Sequence, residues 1–123
     1  MKHPEQSLQI QCAKILDRIL LPHVLWTAIG HGGGGALRGA ILKGMGVKAG
    51  VPDAVIFWKD GPEGAQVLWL EFKAPKGTWS VEQKRWSVNA LNCGHYYAII
   101  KSVDELIAAL QQYAVPIRRL TAS

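Results

Sequence analysis

Near the N-terminus, Leu8, Cys12, Ile15, Leu16 and Ile19 recur at helical spacing within PEQSLQIQCAKILDRILL. The stripe predicts a helix over Pro4 to Leu21, with Pro4 in the first turn, Glu5 favoured by the helix dipole, and Pro22 as the stop. HVLWTAIG then reads as a strand, HGGGG as a flexible loop, and Ala36 to Met45 as a short helix. GVKAGVP is a turn-rich approach to a strand over Asp53 to Trp58. KDGPEG joins that strand to AQVLWLEFKA in a hairpin-like connection. After PKGTW, Ser80 and Gln83 have the spacing of a capping box, opening a helix that runs to Asn92 and ends at Gly94. HYYAIIK reads as a further core strand. Ser102 and Glu105 have the spacing of a second capping box before ELIAALQQY, and the tail VPIRRLTAS reads as a short edge strand.

The order α-β-α-β-β-α-β-α predicts an α/β fold, a small mixed β-sheet flanked by helices. The unit from Val67 to Lys101 is expected to be a right-handed parallel crossover. At 123 residues the chain is expected to form a single domain over residues 1–123. Its 49% hydrophobic content suits a packed core. No apolar run reaches the roughly 18 residues that span a bilayer, and the N-terminal residues lack a signal-peptide apolar region, so no membrane partner is expected and the expected location is the cytoplasm. Cys12 and Cys93 form no CxxC pair and read as reduced, largely buried thiols. The four histidines have no zinc-ligand spacing. A net charge of +5 favours polyanionic partners, although solubility alone accounts for it equally well.

The chemistry concentrates at the end of VLWLEFKA. Side chains alternate along a strand, so Val67, Trp69, Glu71 and Lys73 share one face and Leu68, Leu70 and Phe72 the other. In a hairpin turning near Gly61 to Glu63, pairing positions sum to about 124 or 125, which brings Asp53 opposite Glu71 or Phe72. Two carboxylates that close raise each other's pKa unless a cation lies between them. Mg2+ is satisfied by a few carboxylate oxygens, waters and substrate phosphate, and a neighbouring lysine can hold a phosphate oxygen or the attacking water. A plainer reading is open: Asp53 as a turn residue after Pro52, and Glu71 with Lys73 as a solvated pair at a strand end. On these residues alone the plainer reading is the simpler one.

GVPD, followed by seventeen residues and then EFK, resembles the PD-(D/E)xK nuclease motif. That pattern by itself is common. The ordered set GVPD, ExK, KG, S-x-x-Q and G-H-Y is more specific, and from Glu5 to Leu110 the chain resembles a stand-alone VRR-NUC domain, the virus-type replication-repair nuclease module. The resemblance implies a restriction-endonuclease-like core and a Mg2+- or Mn2+-dependent DNA endonuclease in a bacterial or phage-infected cell. Selectivity for branched DNA such as four-way (Holliday) junctions, a role in DNA repair and a homodimer are further expectations of the same origin. It assigns the metal to Asp53, Glu71 and the Phe72 carbonyl, with Glu5 completing the shell directly or through water. It gives Lys73 the attacking water, and places Gln83 facing the site as part of the catalytic set with Asp53, Glu71 and Lys73. HGGGG departs from the pattern, which leads one to expect asparagine before the glycines. His31 is thereby left with two roles, approaching DNA or filling the turn.

Arg38, Lys43 and Lys48 precede Asp53, while Lys76, Lys84 and Arg85 follow the ExK strand. Singly each is an ordinary solvated charge; as a set bracketing the acids they suit DNA phosphates. Of the five tryptophans, Trp58 and Trp69 read as core or interface and Trp86 as helix packing. Trp79 is the candidate for stacking on a base, with core packing as the alternative. Two further functions compete. Gly30, Gly32 and Gly35 form a nominal GxGxxG, but Asp53 begins a strand where a dinucleotide fold needs an acid ending one. A non-catalytic DNA-binding domain retaining the fold is the other, opposed by the joint presence of Asp53, Glu71, Lys73 and Gln83.

Overall fold

The computed structural model describes residues 3–30 and 35–120. Among them, helix α1 (Pro4–Ile19) is followed by strand β1 (Leu25–Ala28), helix α2 (Gly35–Gly44), strands β2 (Ala54–Asp60) and β3 (Gly64–Phe72), helix α3 (Val81–Asn92), strand β4 (Tyr96–Ile100) and helix α4 (Val103–Gln112). The order matches the sequence pattern element for element. The hairpin connection is a single 3-10 turn, Gly61–Glu63, closed by Gly64 at φ +81°.

One sheet carries the strands in the order β1-β2-β3-β4. β1 with β2 and β2 with β3 are antiparallel, and β3 with β4 is parallel, so the sheet is mixed. The hairpin register pairs Ala54 with Leu70 and Asp60 with Gly64, so paired positions sum to 124. Alternation then sorts the two faces. Ala54, Ile56, Trp58, Leu68, Leu70, Phe72 and Ile100 point to one side, where they pack with Cys12, Leu16 and Ile19 of α1 and Leu106, Ala109 and Leu110 of α4. Burial of each such large side chain contributes about 1.5–3 kcal/mol, so this layer holds the sheet. Burial also raises the Cys12 thiol to about 11, which keeps it protonated and inert.

The opposite face is thinner. α3 covers β3 and β4, with Trp86 meeting Trp69 edge-on at 5.4 Å between ring centroids. Trp69 also donates its indole N–H to His95 Nδ1 at 3.0 Å. α2 buries none of its residues, and Leu37 and Ile41 along it, and Met45 just after it, are exposed.

The structure corrects three expectations. Cys93 is exposed, because it sits at the C-cap of α3, in the turn that Gly94 completes at φ +82°. Among the described residues, up to 120, the tail forms no edge strand: its contribution is an isolated antiparallel bridge between Leu20 and Ile117, and Pro116 removes one donor that a ladder would need. Ser102 caps α4 by accepting from the Glu105 N–H, but Glu105 accepts from the Lys101 N–H and not from Ser102, so the box is not reciprocal. At α3 the box is complete: Ser80 Oγ accepts from the Gln83 N–H and Gln83 Oε1 accepts from the Ser80 N–H.

Candidate active site

Asp53 stands one residue before β2, and its backbone is fixed on both sides. Its N–H donates to the Leu70 carbonyl at 3.0 Å, and its own carbonyl accepts from the Ile29 N–H at 2.8 Å. Pro52 before it is fully buried. The side chain turns across the end of the central strand pair, where Oδ2 accepts from the Phe72 N–H at 2.7 Å. This bond crosses the end of the hairpin, just past the last ladder pair, and sets the carboxyl group beside Glu71.

Glu71 is the unusual residue. It is 3% exposed, in a strand whose neighbours Leu70 and Phe72 are core residues. Burial pushes its carboxyl up to about 8, and the charge of Asp53 adds to that push, while the charge of Lys73 opposes it. Lys73 Nζ is 3.8 Å from Glu71 Oε1. Gln83 Nε2 donates a hydrogen bond to the same oxygen. The other oxygen, Oε2, is buried with no hydrogen-bond partner. A buried carboxylate oxygen without a partner is costly for a protein to keep. A cation between Asp53 and Glu71 would give it one, and two carboxylates with waters suit Mg2+ or Mn2+. The residues present therefore fit a divalent metal. Among the described residues no three His, Cys, Asp or Glu side chains come together as a ready ligand set.

Glu5 stands apart from this pair. Its Oε1 accepts from the Ala74 N–H at 3.4 Å, tying the start of α1 to the turn after β3. It nevertheless lines the same cleft as Asp53, Glu71, Phe72, Lys73 and Gln83, about 500 Å3 in volume. A second cleft, about 660 Å3, opens from Asp53, Glu71 and Gln83 toward α2, and Lys43 and Lys48 line it. Arg38, Lys76, Lys84 and Arg85 are exposed and belong to the lining of neither. Trp79 is half-buried and donates its N–H to the Tyr97 hydroxyl at 3.3 Å, with the rings 6.0 Å apart. Its one polar hydrogen is thus committed inside the protein. His31 lies outside the described residues.

Two site residues escaped the sequence reading. Tyr97 pairs with Trp69 in the parallel register, which puts its side chain on the face of Glu71. Burial raises its phenol to about 12, and the charges of Glu71 and Asp53 push the same way, so it remains a neutral hydroxyl. The alternation of HYYAIIK held this signal, but only once the register with β3 is known. Gly50 is the other. At φ +81°, an added Cβ would lie 2.4 Å from the Glu82 carbonyl carbon and oxygen and 2.8 Å from the Gln83 nitrogen. The turn before Asp53 thus presses on the first turn of α3, the turn that carries Gln83. Gly50→Ala is expected to destabilise the protein by at least about 1–3 kcal/mol, through both the clash and the left-handed backbone. Thermal or urea unfolding measures this, and a loss below 0.5 kcal/mol (an order-of-magnitude bound for an indifferent surface site) would mean that the contact is not tight in solution.

The chain is an α/β fold: a four-stranded mixed sheet with two acids at one end of its central strands, a lysine two residues beyond Glu71 and a glutamine from the following helix. Among solved structures, one described as a "VRR_NUC domain protein" superposes with a TM-score of 0.67 over 94% of this chain and 93% of its own, at 22% sequence identity. The chain has the fold of that VRR-NUC protein. No model of a known protein family matches the sequence. No curated protein matches it either.

Proposed function

We propose that this protein is a Mg2+- or Mn2+-dependent endodeoxyribonuclease. The observation that carries this reading is Glu71: a carboxyl group buried at 3% exposure, with Oε2 making no hydrogen bond, set against Asp53 and Lys73 at an open cleft. Structural stability alone gives no reason for such an arrangement, because a leucine there would cost less. A bound Mg2+ or Mn2+ would supply Lewis acidity at a phosphodiester and ionise water near neutral pH.

In this reading Asp53, Glu71 and the Phe72 carbonyl would hold the ion, and Glu5 would contribute through water from the α1 side. Lys73 orients the attacking water and faces the charge that develops on the phosphate. Gln83 fixes Glu71 Oε1, and Oε2, buried without a hydrogen-bond partner, would be available to a bound ion. Exposed Arg38, Lys43, Lys48, Lys76, Lys84 and Arg85 offer charge to flanking phosphates, within a net charge of +5.

A labelled four-way junction and a linear duplex of matching sequence, each incubated with Mg2+, Mn2+ or EDTA, provide the test. Cleavage that requires the metal is expected, and faster cutting of the junction would assign branched DNA as the substrate. Binding without cleavage under either metal would instead make the chain a DNA-binding domain of nuclease fold. The fraction of protein sedimenting as a dimer on the junction reports whether two sites act together.

A further inference from the structure

The 660 Å3 cleft beside the acid pair has a character of its own. Its inner end is Asp53, Glu71 and Gln83. Its walls are Leu42 of α2 with Val47 and Val51 of the following turn, all half-buried. Exposed Lys43, Lys48 and Glu82 also line it. The 500 Å3 cleft on the other side of the same acids is polar, bounded by Glu5, Gln6, Gln9 and Lys73. A phosphodiester lying across Asp53 and Glu71 has one neighbouring nucleotide on each side. One side offers water-binding groups and the other an apolar slot with exposed cations in its lining.

Resting on the nuclease reading above, we propose that the cleft between α2 and the first turn of α3 receives the base of one unpaired nucleotide adjacent to the scissile phosphate. Leu42, Val47 and Val51 cover the faces of the heterocycle, while Lys43 and Lys48 neutralise the phosphates at its entrance. Clefts of several hundred Å3 with apolar walls and a few polar groups are the usual size and chemistry of sites for molecules as large as a nucleotide. A base inside an intact duplex reaches such a slot only by leaving the stack, which costs a few kcal/mol; an unpaired base is spared most of that cost. The cleft thereby selects DNA with an unpaired nucleotide at the cut over fully paired DNA. Gly50 bears on this directly, since its close approach to Glu82 and Gln83 fixes the distance between the two walls.

Affinity measured by fluorescence anisotropy in EDTA, where no cleavage intervenes, tests the slot apart from the chemistry. Three duplexes of one sequence are compared: fully paired, with a single 2-aminopurine bulge, and with an abasic residue at the bulge. The base-containing bulge is expected to bind about tenfold tighter than the abasic one, the scale of burying one base, with a change in 2-aminopurine emission. Leu42→Trp and Val47→Trp, which fill the slot, should abolish that preference. Equal affinity for the base-containing and abasic bulges, or a preference surviving in both variants, overturns the slot. A preference that is intact while Mg2+ supports no cleavage upholds the slot and refutes the hydrolase reading alone.

Discussion

Glu71→Gln is expected to reduce metal-dependent cleavage by about 10^3-fold or more and, in the metal-free protein, to raise the melting temperature at alkaline pH. Both effects have one origin. Folding takes the Glu71 carboxyl from 4.5 to about 8, first through burial and then through the charge of Asp53. The folded protein therefore binds the extra proton between those two values, and the unfolded chain does not. Stability is full below about pH 4.5, declines as pH rises toward 8, and is flat beyond it, where the carboxylate is charged in both states. The decline is on the order of 5 kcal/mol, since each pKa unit is about 1.4 kcal/mol. Glutamine carries no such charge and still accepts the Gln83 hydrogen bond. In EDTA, unfolding curves from pH 5 to 9 should slope for the native protein and lie nearly flat for the variant. Mg2+ should restore the native protein at high pH by mass action and leave the variant almost unmoved. Parallel curves in EDTA would remove Glu71 as the titrating group.

Lys73→Ala is the second large effect. Loss of a positioned cation at the reacting phosphate is expected to slow cleavage by about 10^2- to 10^4-fold. The rise in melting temperature with Mg2+ should persist, because Lys73 holds no metal. Its charge 3.8 Å from Glu71 opposes the rise in that carboxyl. Removing it should therefore extend the pH-dependent decline in metal-free stability to higher pH. If cleavage survives within about threefold of native (well short of the general acid-base range), Lys73 has no part in the chemistry.

The sequence revealed the parts of this site that depend on local rules. Strand alternation and the shortness of the hairpin turn were enough to bring Asp53 to Glu71, and the observed register sums to 124 as the turn requires. The Ser80–Gln83 box is likewise local, a matter of three residues' spacing. Tyr97 was hidden because its place depends on a parallel register, set by packing of α3 rather than by any turn. Gly50 was one turn glycine among several until its neighbour across space, Glu82, was known. Cys93 misled because hydrophobic character does not tell a cap from a core position. Glu5 has the right charge near the right cleft, but its oxygen is engaged by the Ala74 N–H, a contact 69 residues away in the chain that spacing does not encode.

The Gln83 amide is occupied at both ends, its oxygen by the Ser80 N–H and its nitrogen by Glu71. It cannot rotate to welcome an incoming cation without uncapping α3. Any rearrangement of Glu71 as an ion arrives must therefore be transmitted through that amide to a main-chain proton. The Ser80 15N–1H resonance should then act as a built-in reporter, shifting on metal addition although Ser80 is not among the residues proposed to hold the metal.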